Sequence, residues 1–196
     1  MQNFQLWAQP WWVNLSLLIP VIAYSRWRRK GLLLTWRQIG LLTSFAVAFG
    51  FVEASVVVYL RAASGLLPGY TGTLSDLQNA PDGYEQAKSI AEFPSRLLTI
   101  EIFREAATMV MLASLALLAA PKARERWAVF LWTFAVWDIA YYLGLWATVR
   151  WPTSPEDFDV LFLIPVPWLA EVWFPVLVSA LTLGAIAIML SKRNPA

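Results

Sequence analysis

Six ionisable residues lie inside otherwise apolar stretches of this chain: Glu53, Glu101, Arg104, Glu105, Asp138 and Glu171. Carboxyls in such a setting can pass protons, hold a cation or pair with a guanidinium. A charge in hydrocarbon costs a few kcal/mol or more, so it persists when it is paired, lines water or does work. Glu101, Arg104, Glu105 and Thr108 follow i, i+3, i+4, i+7 and make one helical stripe. Asp138, Tyr141 and Tyr142 make a second stripe by the same spacing. Arg104 can pair with Glu101 or Glu105 on its own helix, and with Asp138 or Glu53 across a bundle. One arginine cannot neutralise five carboxylates, so the rest must be protonated, solvated or bound to a cation. The candidate polar layer is therefore Glu53, Glu101, Arg104, Glu105, Asp138 and Glu171, with Tyr141 and Tyr142 as supports.

What can hold these residues is an integral membrane protein. The chain has 196 residues, 59% hydrophobic and 14% charged, with a mean hydropathy of +0.55; a soluble domain has about 25% charged residues. Twelve Trp fit a chain with two membrane–water interfaces. Most of them (Trp7, Trp11, Trp12, Trp146, Trp151, Trp168 on one side; Trp27, Trp36, Trp127 on the other) are expected as interfacial anchors. Trp132, Trp137 and Trp173 lie deeper and could wall a pocket.

A spanning helix takes about 20 apolar residues. The expected fold is an all-α, polytopic bundle of five transmembrane helices in one domain over 1–196. The spans run at about 7–24, 39–60, 97–119, 127–149 and 167–190, with an external loop over 61–96. Asp82 could cap a short helix in that loop, stopped by Pro94. Before the last span, Pro165 and Pro167 break an apolar run over 158–168 into an interfacial or partly re-entrant segment, and Pro175 could kink the helix beyond. On this frame Glu101 lies about 6 Å and Glu105 about 12 Å below the outer end of the third span; Glu53, Asp138 and Glu171 share their layer. Ala46, Gly50 and Ala54 on the second span, and Ala180 and Gly184 on the fifth, recur every four residues, a pattern that lets helices approach closely.

Charge gives the orientation. Arg26, Arg28, Arg29, Lys30, Arg37, Lys122, Arg124, Arg126, Lys192 and Arg193 share one side with a single acid, Glu125. The other side carries most of the acids. The positive-inside rule puts the N-terminus outside and the C-terminus in the cytoplasm, in a membrane expected to be the bacterial cytoplasmic (inner) one. No basic residue precedes the first apolar run and no small-residue cleavage site follows it, so no cleavable signal is expected.

The chain has no His and no Cys. His- or Cys-ligated haem, zinc and iron–sulfur clusters are excluded, as is a His-based triad; a metal would need oxygen ligands, and no metal-ligand motif is read. No phosphate-binding glycine loop or nucleophile elbow occurs, and no basic stripe suits nucleic acid.

The motif Trp137-Asp138-x-x-Tyr141-x-x-Gly144-x-Trp146, followed by Ile164-Pro165-Val166-Pro167-Trp168-Leu169-Ala170-Glu171, resembles the small membrane lycopene cyclases, which carry Pro-Trp-Asp-Asn and later Pro-x-Glu-Glu. Here Val136 and Ile139 flank Trp137-Asp138, and one Glu stands where the family has two. The resemblance implies proton transfer to a polyene by Asp138 and Glu171.

Three functions fit the sequence. The first expectation is a structural, accessory or assembly component of a membrane complex, with other membrane subunits as partners beside the bilayer. The second is a proton- or cation-coupled transporter using the carboxylate layer. The third is an intramembrane enzyme acting on a lipid or isoprenoid by carboxylate acid–base chemistry, with a lipid-like ligand. A sealed, fully paired ionic knot favours the first, an aqueous funnel the second, an apolar tunnel reaching the acids the third.

Overall fold

The computed structural model describes residues 7–28, 31–63 and 95–191. The expected loop helix after Asp82, and the cations Arg29, Lys30, Lys192 and Arg193, lie outside the described residues. The chain is mostly helical. A short strand β1 (Ala8–Gln9) leads into a 3-10 helix (Trp11–Leu17) and α1 (Leu18–Trp27). Then come α2 (Trp36–Ala63), α3 (Ser95–Ala119), α4 (Ala123–Val149), the strands β2 (Phe158–Phe162) and β3 (Trp168–Glu171), and α5 (Trp173–Ser191). Among the described residues four helices, α2 to α5, are long and apolar enough to cross a membrane.

The second, third and fourth expected spans correspond to α2, α3 and α4, each starting or ending a few residues beyond the expected bounds. The start of α2 is set by a reciprocal cap. Gln38 N–H donates to Thr35 Oγ1 (3.2 Å), while Thr35 N–H donates to Gln38 Oε1 (2.9 Å), so two donors at the helix entry are satisfied together.

Three expectations are corrected. The first span is not one helix over 7–24. Asn14 ties the chain back on itself, accepting from Ala8 N–H (3.1 Å) and donating to the carbonyls of Ala8 (2.7 Å) and Trp11 (2.9 Å). This holds an extended entry and a 3-10 turn before α1. The fold is also not all-α, because the broken segment before the last helix forms strands. β3 pairs antiparallel with β1 and with β2 in one three-stranded sheet, ordered β1-β3-β2, with an irregularity between Val160 and Phe162. Finally, the last helix begins at Trp173 rather than 167, with Pro175 inside its first turn, where a missing N–H costs no helical bond. Val172 and Trp173 N–H donate instead to the carbonyls of Asp157 and Pro155, both at 2.9 Å.

The bundle is organised by α4. It packs against α2 most extensively, against α5 on another side and against α3 on a third, while α1 lies on α5. The α2–α4 contact uses the small residues of α2: Ala46 and Ala54 are fully buried. A Cβ on Gly50 would stand 2.7 Å from the Trp137 carbonyl oxygen and 2.8 Å from Ala140 Cβ; one on Gly144 would stand 2.9 Å from Ala54 Cβ. The matching pattern on α5 does not serve this way among the described residues: Ala180 and Gly184 are exposed, and a Cβ on Gly184 would meet nothing within 4 Å.

Both ends of the bundle are distinct. The ends of α1, α3 and α5 and the starts of α2 and α4 converge in one apolar cluster that includes Trp27, Leu32, Ala120, Ala128 and Leu190. Arg26, Arg28, Arg37, Lys122, Arg124 and Arg126 flank it in sequence. Glu125, the acid expected there, is buried and accepts from Arg124 at 2.7 and 3.2 Å. The sheet closes the opposite end. Trp27 and Trp151, read as anchors, are instead buried at 7% and 2% exposure.

The two glycines give a paired test. Gly50→Ala must displace the α4 backbone and is expected to destabilise by about 1–3 kcal/mol. Gly184→Ala meets no atom and removes helix-interior glycine, so it is expected to be neutral or stabilising by up to about 1 kcal/mol. Thermal unfolding of both variants in one detergent checks the contrast.

Candidate functional site

The stripe on α3 forms as its spacing predicts. Glu101, Glu105 and Thr108 are buried, while Ile100, Phe103 and Val110 on the other faces of the helix are exposed. Arg104 Nε donates to Glu101 Oε2 at 2.7 Å, one turn back. Its Nη1 donates to Glu53 Oε1 on α2. Glu53 is buried beside Ala54 in the small-residue face, which is why it points into the bundle. Arg104 thus joins α2 and α3, which do not otherwise pack closely.

Glu105 and Asp138 are held differently. Glu105 Oε2 accepts the backbone N–H of Leu163, just after β2, at 2.8 Å. Asp138 Oδ2 accepts from Ser179 Oγ on α5 at 2.8 Å. Neither forms an ion pair among the described residues. Tyr142 donates its hydroxyl to Asp159 Oδ2 at 2.9 Å in a buried contact, and its ring meets Tyr141 edge-on with centroids 5.0 Å apart.

These groups surround one cavity of about 360 Å³. Seven of the eight expected site residues line it: Glu53, Glu101, Arg104, Glu105, Asp138, Tyr141 and Tyr142. The eighth, Glu171, does not. It lies at the end of β3 and accepts from Trp173 Nε1. Strand geometry, not helix geometry, carries it away from the layer. Arg150, near enough in sequence to reach in, instead stacks on Trp146 with its guanidinium carbon 4.7 Å from the ring centroid.

The remaining walls are apolar. Phe130, Leu131 and Phe134 on α4 extend the cavity from Asp138 toward the basic end, over about 12 Å at 1.5 Å per residue. Val13 and Ile19 from the N-terminal segment, and Val178 from α5, form the far wall. Trp137 and Trp168 also line it; the indole N–H of each is buried without an acceptor among the described residues. Trp132, expected in the wall, is not a lining residue and donates to Thr43 Oγ1 at 2.9 Å; Trp173 packs against Trp7 and Phe174.

Two residues of the site escaped the sequence reading. Asp159 reads as one of several external acids, yet it is 4% exposed and lines the cavity. Its burial comes from the pairing of β2 with β3, which sets it opposite the fully buried Ala170. Ser179 is marked by the i, i+3 pair it makes with buried Thr182 on an otherwise apolar helix. No group of acids among the described residues has the arrangement of a metal site.

The ion pairs give a direct test. Arg104→Ala leaves Glu53 and Glu101 buried without their partner and is expected to cost about 3–5 kcal/mol of stability. Arg124→Ala at the basic end removes one cation from Glu125 and is expected to cost distinctly less. Equal thermal shifts for the two variants would show that Arg104 does not hold α3. Tyr142→Phe, which strips a donor from buried Asp159, is expected to cost about 1–3 kcal/mol in the same assay.

No protein-family model matches the chain, and neither a curated protein nor a solved structure is similar to it.

Proposed function

We propose that this protein is a five-span integral membrane protein that takes a lipid-like or isoprenoid molecule into its carboxylate-lined cavity and acts on it by acid–base chemistry. The observation that carries this reading is the cavity itself: the acids line a space of about 360 Å³ with otherwise apolar walls, within the usual size of a small-ligand site. A structural ionic knot would be closed on itself. Here Arg104 is committed to Glu53 and Glu101, while Glu105 and Asp138 keep one oxygen each without a donor among the described residues. Those two are the groups placed to give or take a proton, with Tyr141 and Tyr142 beside them.

Several features support the membrane frame. The 3-10 helix and α1 together span about 29 Å, close to the hydrocarbon thickness of a bilayer, and so supply a first crossing. The convergence of the basic residues at one end fits the positive-inside rule, with that end cytoplasmic and the sheet at the outer surface, N-terminus outside. A bacterial cytoplasmic membrane suits this asymmetry. The cavity then opens in the outer half of the bilayer. α3 packs on α4 and stands apart from α1 and α5, leaving the space between them as a route for a molecule arriving from lipid.

Mass spectrometry of the protein extracted gently from its own membrane tests this. A bound lipid or isoprenoid is expected, lost in Phe134→Trp, which fills the cavity; any that stays bound in Glu105→Gln or Asp138→Asn is expected to be chemically unaltered. An empty cavity together with a stoichiometric partner chain would return the protein to the accessory role.

A further inference from the structure

The polar end of the cavity also restricts what its ligand can carry, and this step rests on the lipid-site reading above. Glu105 is 8% exposed and lines the cavity. Its Oε2 is filled by the Leu163 N–H, and its Oε1 accepts nothing from the described residues. Asp138 repeats the arrangement, with Oδ2 filled by Ser179 and Oδ1 left open. Neither open oxygen is among the fully buried unpartnered atoms, and both residues line the cavity. An ionised carboxyl only accepts, so in that state two open oxygens call for a donor from the ligand. The one guanidinium in the described wall is already bonded to Glu53 and Glu101. An anionic head would meet two further carboxyls there, and among the described residues no unpaired cation lines the cavity to offset them, in a medium where like charges repel strongly.

We infer that the cavity selects a long-chain amphiphile whose polar end is a hydrogen-bond donor without negative charge, a hydroxyl or a protonated amine, seated on Glu105 Oε1 and Asp138 Oδ1 with its chain along Phe134, Leu131 and Phe130. Lipids ending in a carboxylate or phosphate are rejected. The selection is made by the same two carboxyls that perform the proposed chemistry, so binding and reactivity converge on the head group.

Four probes with one chain separate the cases: oleyl alcohol, oleylamine, oleic acid and oleyl phosphate, each added to the full-length protein in detergent and read by the shift in Tm. The alcohol or the amine, or both, is expected to raise Tm by several degrees, and the acid and phosphate to leave it unchanged. An equal or larger shift with oleic acid or oleyl phosphate overturns the head-group inference and leaves the lipid site standing. No shift with any probe, together with no lipid on the protein as extracted, overturns both. Glu105→Gln and Asp138→Asn are each expected to reduce the alcohol or amine shift at least severalfold; an undiminished shift in both overturns the seating. The four-way comparison uses the unaltered protein, so a poorly folding variant does not remove the test.

Discussion

The Arg104 guanidinium bridging Glu53 and Glu101 is the constraint on which the arrangement of the cavity rests. Among the described elements α3 packs closely on α4 alone. Its position relative to α2 is set by this ion pair, and relative to the sheet by the bond from Leu163 to Glu105. The acids in these contacts are buried, and leaving any one charge without its partner is costly. The same desolvation that makes the residues expensive therefore makes the geometry they hold specific. An apolar helix pair would have many near-equivalent rotations; a helix whose inward guanidinium must meet Glu53 has far fewer.

On the other side of α4 the reasoning is steric. Gly50 and Gly144 bring the α2 and α4 backbones to near contact, so the two longest helices form a rigid pair. α5 and α3 lean on α4 from different directions, and the volume between them is not filled by side chains of the described residues. Tight packing on one face and open space on another are complementary consequences of where small residues fall: Ala46, Gly50 and Ala54 close one interface, while no such run on α3 closes the other. The sheet then caps the volume. Asp159 reaches Tyr142, and the chain just beyond β2 reaches Glu105, which ties an extended segment to a layer of helix-borne carboxyls.

The polarity of the cavity follows from these two facts. Its acids come from α2, α3, α4 and β2, and its apolar length from α4, α5 and the N-terminal segment. A polar end near the sheet and an apolar run toward the basic end give the cavity an amphiphilic gradient along its length.

Helical periodicity was legible in the sequence because it is local: the stripes Glu101–Arg104–Glu105–Thr108 and Asp138–Tyr141–Tyr142 need only 3.6 residues per turn to align, and the close-packing run on α2 is read the same way. Membrane character and the basic end were legible too, since both depend on composition and chain order. The departures arise where a distant partner decides. Residues 158–162 and 168–171 become strands by pairing with each other, and β1, some 160 residues earlier, covers the other edge of β3; strand geometry takes Glu171 out of the carboxylate layer and brings Asp159 in. Ala180 and Gly184 repeat the spacing that closes α2 on α4, yet no described helix lies against them. The sequence by itself determined which residues share a helix face and which are too polar for lipid; the tertiary structure decided which of them meet, because charge pairing, strand pairing and the space left between helices depend on residues that no local period connects.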